Sequence, residues 1–164
     1  MKFILREWQD SDLPSLVKHA NNPNIAKFMT DRFAYPYTEE NGKAFIEMAK
    51  NKPKHLFAIE INNEAVGGIG IHLLEDIMQK NAELGYWLSE DYWGKGIITE
   101  AIRQIIPIAF KENGIRRLFA RPFGTNKASQ RVLEKAGFKF ECKFEKTIFK
   151  NGEYIDELFY SVIK

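Results

Sequence analysis

Trp93-Gly94-Lys95-Gly96-Ile97-Ile98-Thr99 sets two glycines one residue apart between two apolar segments. The first segment, Leu84 to Leu88, reads as a buried strand; the second, Ile97 to Lys111, has the period of a helix. Glycine lets a backbone come close to a ligand. The first N–H groups of a helix have no internal partners and sit at the positive end of its dipole. The chemistry of such a turn is a grip on phosphate or pyrophosphate by backbone N–H groups of Gly94 to Ile98. A purely structural loop is the alternative. A nucleotide-triphosphate loop would need Gly-x-x-x-x-Gly-Lys-Ser/Thr, whereas Lys95 precedes the second glycine here. A dinucleotide fingerprint would need a third glycine where Thr99 stands. Gly67-Gly68-Ile69-Gly70 lies within an alternating apolar run and reads as a bulge or a close backbone approach inside a strand.

About thirty residues downstream, Asn126 to Phe138 reads as a short helix, with Asn126 near its start and Gly137 as its left-handed stop. Asn126, Ser129 and Leu133 fall at i, i+3 and i+7, on one face. The two polar residues either serve a ligand or cap the helix. His19, His55 and His72 are scattered, and no His–Cys or His–Glu pair has metal-binding spacing, so no metal is expected. His72 reads as a packed strand histidine ahead of a cleft residue. Cys142 stands alone with no base indicated beside it, which argues against covalent catalysis. Trp8, Trp87 and Trp93 read as packing residues.

The elements that must position these groups form an α+β pattern. Met1 to Trp8 predicts a strand, and Asp10 to Ala20 a helix that tolerates Pro14 in its first turn. A short helix near Ile25 to Met29 follows, then one capped by Thr38 and running to about Asn51. His55 to Ile61 and Ala65 to Leu73, joined at Asn62-Asn63, predict a hairpin. Asn113-Gly114 stops the long helix, and Pro107 inside it predicts a kink. Leu118 to Phe123 reads as a strand that Pro122 interrupts. Phe138 to Ile148 and Tyr154 to Ile163, joined around Asn151-Gly152, predict a second hairpin.

Length and composition bound the answer. A chain of 164 residues suits one domain with a sizeable core, so residues 1–164 are expected to form a single domain. With 45% hydrophobic and 28% charged residues the composition is that of a globular protein. A net charge of +2 carries no nucleic-acid signature. No stretch approaches the roughly 20 apolar residues of a membrane span, so no membrane partner is expected. One cysteine excludes an internal disulfide and fits a reducing compartment. Met1 to Leu5 is too short an apolar run for a secretory signal, and the expected location is cytoplasmic.

Taken in this order and spacing, the Gly94 turn and Asn126-x-x-Ser129 resemble the GNAT superfamily of N-acetyltransferases. More closely, the chain is similar to the RimJ/RimL-like branch, which acetylates ribosomal-protein N-termini. The resemblance extends over Leu5-Arg6-Glu7-Trp8, Asp12-Leu13, Pro36-Tyr37-Thr38, Glu83-Leu84-Gly85-Tyr86-Trp87-Leu88 and Lys135-Ala136-Gly137-Phe138. It implies a mixed, mostly antiparallel central sheet of about seven strands with helices on both faces. It also implies a splayed parallel strand pair, Glu83 to Leu88 and Leu118 to Phe123, that forms the slot for coenzyme A.

The implied cosubstrate is acetyl-CoA. Its pyrophosphate would lie on Trp93, Gly94, Lys95, Gly96, Ile97, Ile98 and Thr99. Its pantetheine arm would pair with backbone groups of Tyr86, Trp87 and Leu88 as an added strand does. Asn126 would bind that arm or order a water, and Arg131 would reach a CoA phosphate. Trp93 and Ile98 depart from the superfamily pattern of Gln/Arg and Gly/Ala at those positions, and Ile98 threatens to crowd the pyrophosphate. Leu133 stands where many members carry a tyrosine acid, so the resemblance moves the contact with the leaving sulfur to Ser129. Glu83 is the implied general base. The loops Asn21 to Tyr37, Glu75 to Lys80 and Lys150 to Glu153 would surround the acceptor amine. The implied function is acetyl transfer to a primary amine, a peptide or protein N-terminus. The alternatives are a small amine (polyamine, amino acid or aminoglycoside) and a CoA-binding module without turnover. Either a monomer or a homodimer, paired through the second hairpin, fits the chain.

Overall fold

Two asparagine-led turns organise the sheet, because each must enter the left-handed region at both central residues. In the computed structural model, which describes residues 1–164, Asn62 and Asn63 have φ of 51° and 64°, and Asn151 and Gly152 have φ of 51° and 79°. Positive φ at both positions matches the twist of the flanking strands and closes a two-residue hairpin. The first turn joins β2 (Leu56–Ile61) to β3 (Glu64–Leu73), with Ile61 opposite Glu64. The second joins β6 (Lys139–Lys150) to β7 (Glu153–Ile163), with Lys150 opposite Glu153. With β1 (Ile4–Glu7), β4 (Asn81–Leu88) and β5 (Arg117–Ala120) they make a seven-stranded sheet in the order β1-β2-β3-β4-β5-β7-β6. The expected mixed, mostly antiparallel sheet is therefore present. Its parallel pair is β4 with β5, in the register Asn81↔Arg117, Ala82↔Leu118 and Glu83↔Phe119. That ladder ends at Glu83, whereas β4 itself runs on to Leu88.

Several boundaries differ from the sequence expectation, each for a physical reason. The first strand is Ile4–Glu7 within the expected Met1 to Trp8, and the helix expected from Asp10 starts at Leu13. Asp12 turns its carboxylate back to the Gln9 N–H, 2.9 Å away, and to Arg6, which tightens Asp10–Asp12 into a 3-10 turn ahead of α1 (Leu13–Ala20). The helix expected near Ile25 to Met29 is α2, Pro23–Ala26, where the Asn22 side chain accepts from the Asn24 N–H. Thr38 caps α3 (Glu39–Lys50) as expected. The helix after the glycine turn, α4 (Ile97–Pro107), passes into a π turn over Ile108–Glu112 where a kink was expected. Proline lacks an N–H and crowds the carbonyl four residues earlier, and a wider turn accommodates both. The strand expected over Leu118 to Phe123 is β5, Arg117–Ala120, and Phe123 rejoins only as an isolated bridge to Glu157. Pro122 has no N–H to donate, but its carbonyl accepts from the Leu158 N–H at 3.1 Å. Asn126 then caps α5 (Lys127–Lys135).

The chain forms two compact units, and β3 and β4 each run from one into the other. The first unit holds Met1–Gly70 and Tyr86–Ile97. Its core gathers Trp8, Leu16, Ile25, Tyr37, Ile46 and Trp87, with Trp8 edge-on to Phe45 at 5.1 Å. Gly67 and Gly68 belong here: a Cβ on Gly67 would lie 2.6 Å from the Trp87 carbonyl oxygen, and one on Gly68 2.8 Å from the Trp87 indole nitrogen. The glycine cluster is thus the close backbone approach its context suggested. Gly67→Ala is expected to destabilise the protein by about 1–3 kcal/mol, since the atom in the way is backbone and cannot rotate aside. Urea unfolding measures it, and an unchanged midpoint would refute the close-approach account. At the edge of this unit Arg6 grips Asp12 with two hydrogen bonds of 2.7 and 2.8 Å and also donates to Glu60. The second unit holds Ile71–Gly85 and Ile98–Lys164, with Ile102, Ile105, Leu118 and Leu133 fully buried. No helix is long and apolar enough to cross a membrane.

Candidate active site

The glycine turn has the backbone its sequence promised. Gly94 and Gly96 have φ of +73° and +76°, and no atom lies within 4 Å of where a Cβ would stand on either. The glycines are therefore needed for their dihedral angles, and the space outside them is open. The turn is braced from within. The Trp93 indole donates to the Leu88 carbonyl at 2.8 Å, and the Lys95 ammonium donates to the Asp91 carbonyl at 2.7 Å while lying 5.1 Å from the Tyr92 ring centre. Ile97, Ile98 and Thr99 open α4 with buried side chains. Ile98, the departure expected to crowd a pyrophosphate, is only 9% exposed. The Leu88 carbonyl, one of the backbone groups expected to serve the slot, thus accepts one hydrogen bond from Trp93 and keeps a second lone pair. Trp87 is buried and Tyr86 half-buried.

The segment leading into this turn is held by side chains that the sequence left without a role. His19, at the end of α1, is 7% exposed. Its Nδ1 lies 3.0 Å from the Ser89 hydroxyl and its Nε2 2.9 Å from the Glu64 carboxylate. Ser89 is itself buried and donates its N–H to the Val66 carbonyl at 2.8 Å. The next residue, Glu90, accepts from the side-chain amides of Asn22 and Asn24 at 2.8 and 3.0 Å. The hydrogen bond from His19, followed by that from Lys18, holds the Glu64 carboxyl below the ordinary carboxylate range, and Asn22 followed by Asn24 does the same for Glu90. No local pattern marks these pairs, since His19 and Ser89 are 70 positions apart.

In the second unit Glu83 is half-buried, and both its oxygens accept from Arg121, at 2.9 Å from Nε and 3.0 Å from Nη2. Glu157 lies 3.7 Å from the same guanidinium. These bonds, Glu83 first, raise the Arg121 pKa. Glu83 and Arg121 line a trough of about 670 Å³ together with Phe119 and Phe159. Those rings stack at 5.9 Å between centres. The Arg117 guanidinium lies 4.7 Å from the Phe119 ring centre and pairs with Glu141, which also accepts from Ser161. Arg117, through its hydrogen bond, holds the Glu141 carboxyl below its ordinary range.

Asn126 caps α5: its side-chain oxygen accepts from the Ser129 N–H at 3.1 Å. The capping reading of this pair is thus realised, and it uses the Asn126 oxygen. Ser129 is half-buried, Arg131 exposed, and Leu133 wholly buried. His72 is exposed and faces Gly85, where a Cβ would meet its ring at 3.3 Å, which corrects the packed-histidine expectation. The His55 Nε2 is buried without a hydrogen-bond partner, and Cys142 is a half-buried free thiol. No three His, Cys, Asp or Glu side chains gather to hold a metal ion.

Comparison with known proteins agrees with this architecture. The family model "Acetyltransferase (GNAT) domain" matches residues 2–139. The chain is 32% identical to the ribosomal-protein-serine acetyltransferase of Escherichia coli strain K12 over 66% of its length and 60% of the relative's. It is 24% identical to the spermidine N(1)-acetyltransferase of the same strain over 92% of its length and 80% of the relative's. Among solved structures, the GNAT-family acetyltransferase of Bacillus anthracis superposes with a TM-score of 0.86 at 25% identity, covering 99% of this chain and 95% of that one. With the family model spanning most of the chain and the fold shared almost end to end, this protein belongs to the GNAT acetyltransferases.

Proposed function

We infer that the chain moves the acetyl group of acetyl-CoA to a primary amine, that of a peptide or protein N-terminus. The observation that carries this reading is the turn at Gly94 and Gly96, left-handed at both glycines, open outward, and continuous with the start of α4. Backbone N–H groups from Gly94 to Thr99 hold the pyrophosphate, and positive φ at two alternate residues is how a chain turns consecutive N–H groups toward one anion. Backbone groups of Tyr86, Trp87 and Leu88 pair with the pantetheine arm, Asn126 and Arg131 assist in holding CoA, and Ser129 hydrogen-bonds the departing sulfur. Acetyl-CoA supplies the activated acetyl thioester. The amine nitrogen bonds to the acetyl carbon, the carbon–sulfur bond breaks, and the proton shed by the amine passes to Glu83 directly or through water. An α-amino group with a pKa of about 8 is partly neutral at physiological pH and asks little of such a base, whereas a lysine near 10.4 asks more. The ribosomal-protein relative supports a peptide acceptor. The spermidine relative is the observation behind a second reading, a polyamine acceptor.

The deciding experiment is acetyl-CoA-dependent thiol release against short peptides of varied N-terminus, spermidine, free amino acids and an aminoglycoside. Turnover with peptides alone is the expected result. Turnover with spermidine alone would replace it by the second reading, and tight CoA binding without turnover on any amine would make the chain a binding module. On the same reading, His19 is a positioning residue for the CoA turn. His19→Ala is expected to raise KM for acetyl-CoA about ten-fold, the worth of one or two buried hydrogen bonds, with kcat at saturation nearly unchanged. An unchanged KM would leave the His19–Ser89 contact without a part in cosubstrate binding.

A further inference from the structure

The trough beside Glu83 distinguishes among acceptors by what its walls lack. Two stacked rings, Phe119 and Phe159, line it, and Phe144 lies edge-on behind Phe159 at 5.5 Å. Leu74 and Met78, from the connector between β3 and β4, also line it. Met78 is 44% exposed and its neighbour Ile77 is 88% exposed, on a 3-10 turn (Asp76–Met78). Met78 is thus a bulky apolar side chain that contributes little to the core and borders the trough, the mark of a contact surface. Each carboxylate around the trough already has a guanidinium neighbour. Glu83 is doubly bonded to Arg121, Glu157 approaches the same arginine, and Glu141 is paired with Arg117.

A polyamine carries ammonium groups at intervals along an alkyl chain and needs a free carboxylate for each. Here three carboxylates share two guanidinium groups, a surplus of one negative charge. That surplus suits a single ammonium followed by apolar surface, and Arg121 is at hand for a peptide carbonyl. We propose that this trough receives a large apolar side chain within the first two residues of an acceptor peptide, and that it selects such N-termini over polyamines. The proposal rests on Glu83 facing the acceptor amine. Moving a leucine or phenylalanine side chain from water onto these rings corresponds to roughly ten- to hundred-fold in affinity.

The test is fluorescence anisotropy on the full chain with CoA present. The probes are two C-terminally labelled heptapeptides, one beginning Leu-Phe and the other Gly-Gly, with spermidine as competitor. The Leu-Phe peptide is expected to bind at least ten times more tightly. Met78→Ser, a surface change that leaves the fold intact, is expected to reduce that ratio to about three or less, and spermidine at the peptide's concentration is expected not to displace it. Equal affinities, a ratio unmoved by Met78→Ser, or displacement by spermidine would each overturn the proposal. Acetyl transfer to the same peptides is scored separately. Transfer without an apolar preference removes the trough's role and leaves the acetyltransferase reading standing. Selective binding without transfer to any amine supports the trough while removing peptide acetylation.

Discussion

Gly96→Val is expected to weaken CoA binding by about a hundred-fold, the combined effect of backbone strain and one or two lost charge-assisted hydrogen bonds. At φ of +76° a β-branched residue is strained wherever its side chain points, and the open space around Gly96 does nothing to relieve this. The exposed turn would relax into an ordinary conformation and rotate its N–H groups away from the pyrophosphate. Global stability is expected to change little, because the side chain added lies in solvent. Calorimetric titration with CoA reads the loss, and Gly94→Val, at +73°, should behave alike. Gly96→Ala tests the mechanism more finely: with less steric demand its loss should be smaller than that of valine. CoA affinity within three-fold of the wild type for Gly96→Val would show that the turn does not hold the cosubstrate.

Glu83→Gln is expected to lower kcat by about a hundred-fold, the lower range for removal of a positioned general base, while leaving KM for acetyl-CoA unaltered. The arrangement makes this a demanding prediction, since both Glu83 oxygens already accept from Arg121. Two of the carboxylate's roughly four lone-pair sites are used in that bidentate pair, and the others remain to receive a proton relayed from the amine. Glutamine retains one acceptor and the shape of the side chain but cannot take up a proton at pH 7. A purely structural Glu83 would reveal itself through a lowered melting temperature with kcat retained. Arg121→Gln separates the roles further. It frees Glu83 without deleting it, so it should disturb peptide KM more than Glu83→Gln does and kcat less. If Glu83→Gln keeps kcat within three-fold of wild type, the base is another group or bulk water acting on an already neutral amine.

Much of the molecule was legible before any coordinate. The two hairpin turns, the Thr38 and Asn126 caps, and the glycine turn before α4 all depend on the dihedral freedom or local hydrogen bonding of two to four neighbouring residues. Such constraints are written in consecutive letters, and no distant contact is needed to read them. The same holds for Pro122, whose missing N–H interrupts the strand expected to Phe123, and β5 ends at Ala120. Pro107 predicts a kink, and the π turn over Ile108–Glu112 answers the same missing hydrogen bond.

The sequence by itself determined the α+β pattern, the hairpins and the backbone of the glycine turn, because these follow from short-range sterics and from hydrophobic periodicity. Only the tertiary structure decided the partners of the polar side chains. It joined Glu83 to Arg121, 38 positions away, put His19 between Ser89 and Glu64, gave the Leu88 carbonyl to Trp93, and turned Ile98 inward. A hydrogen bond needs its two atoms within about 3 Å, and which distant atoms come that close depends on how every strand and helix between them is packed.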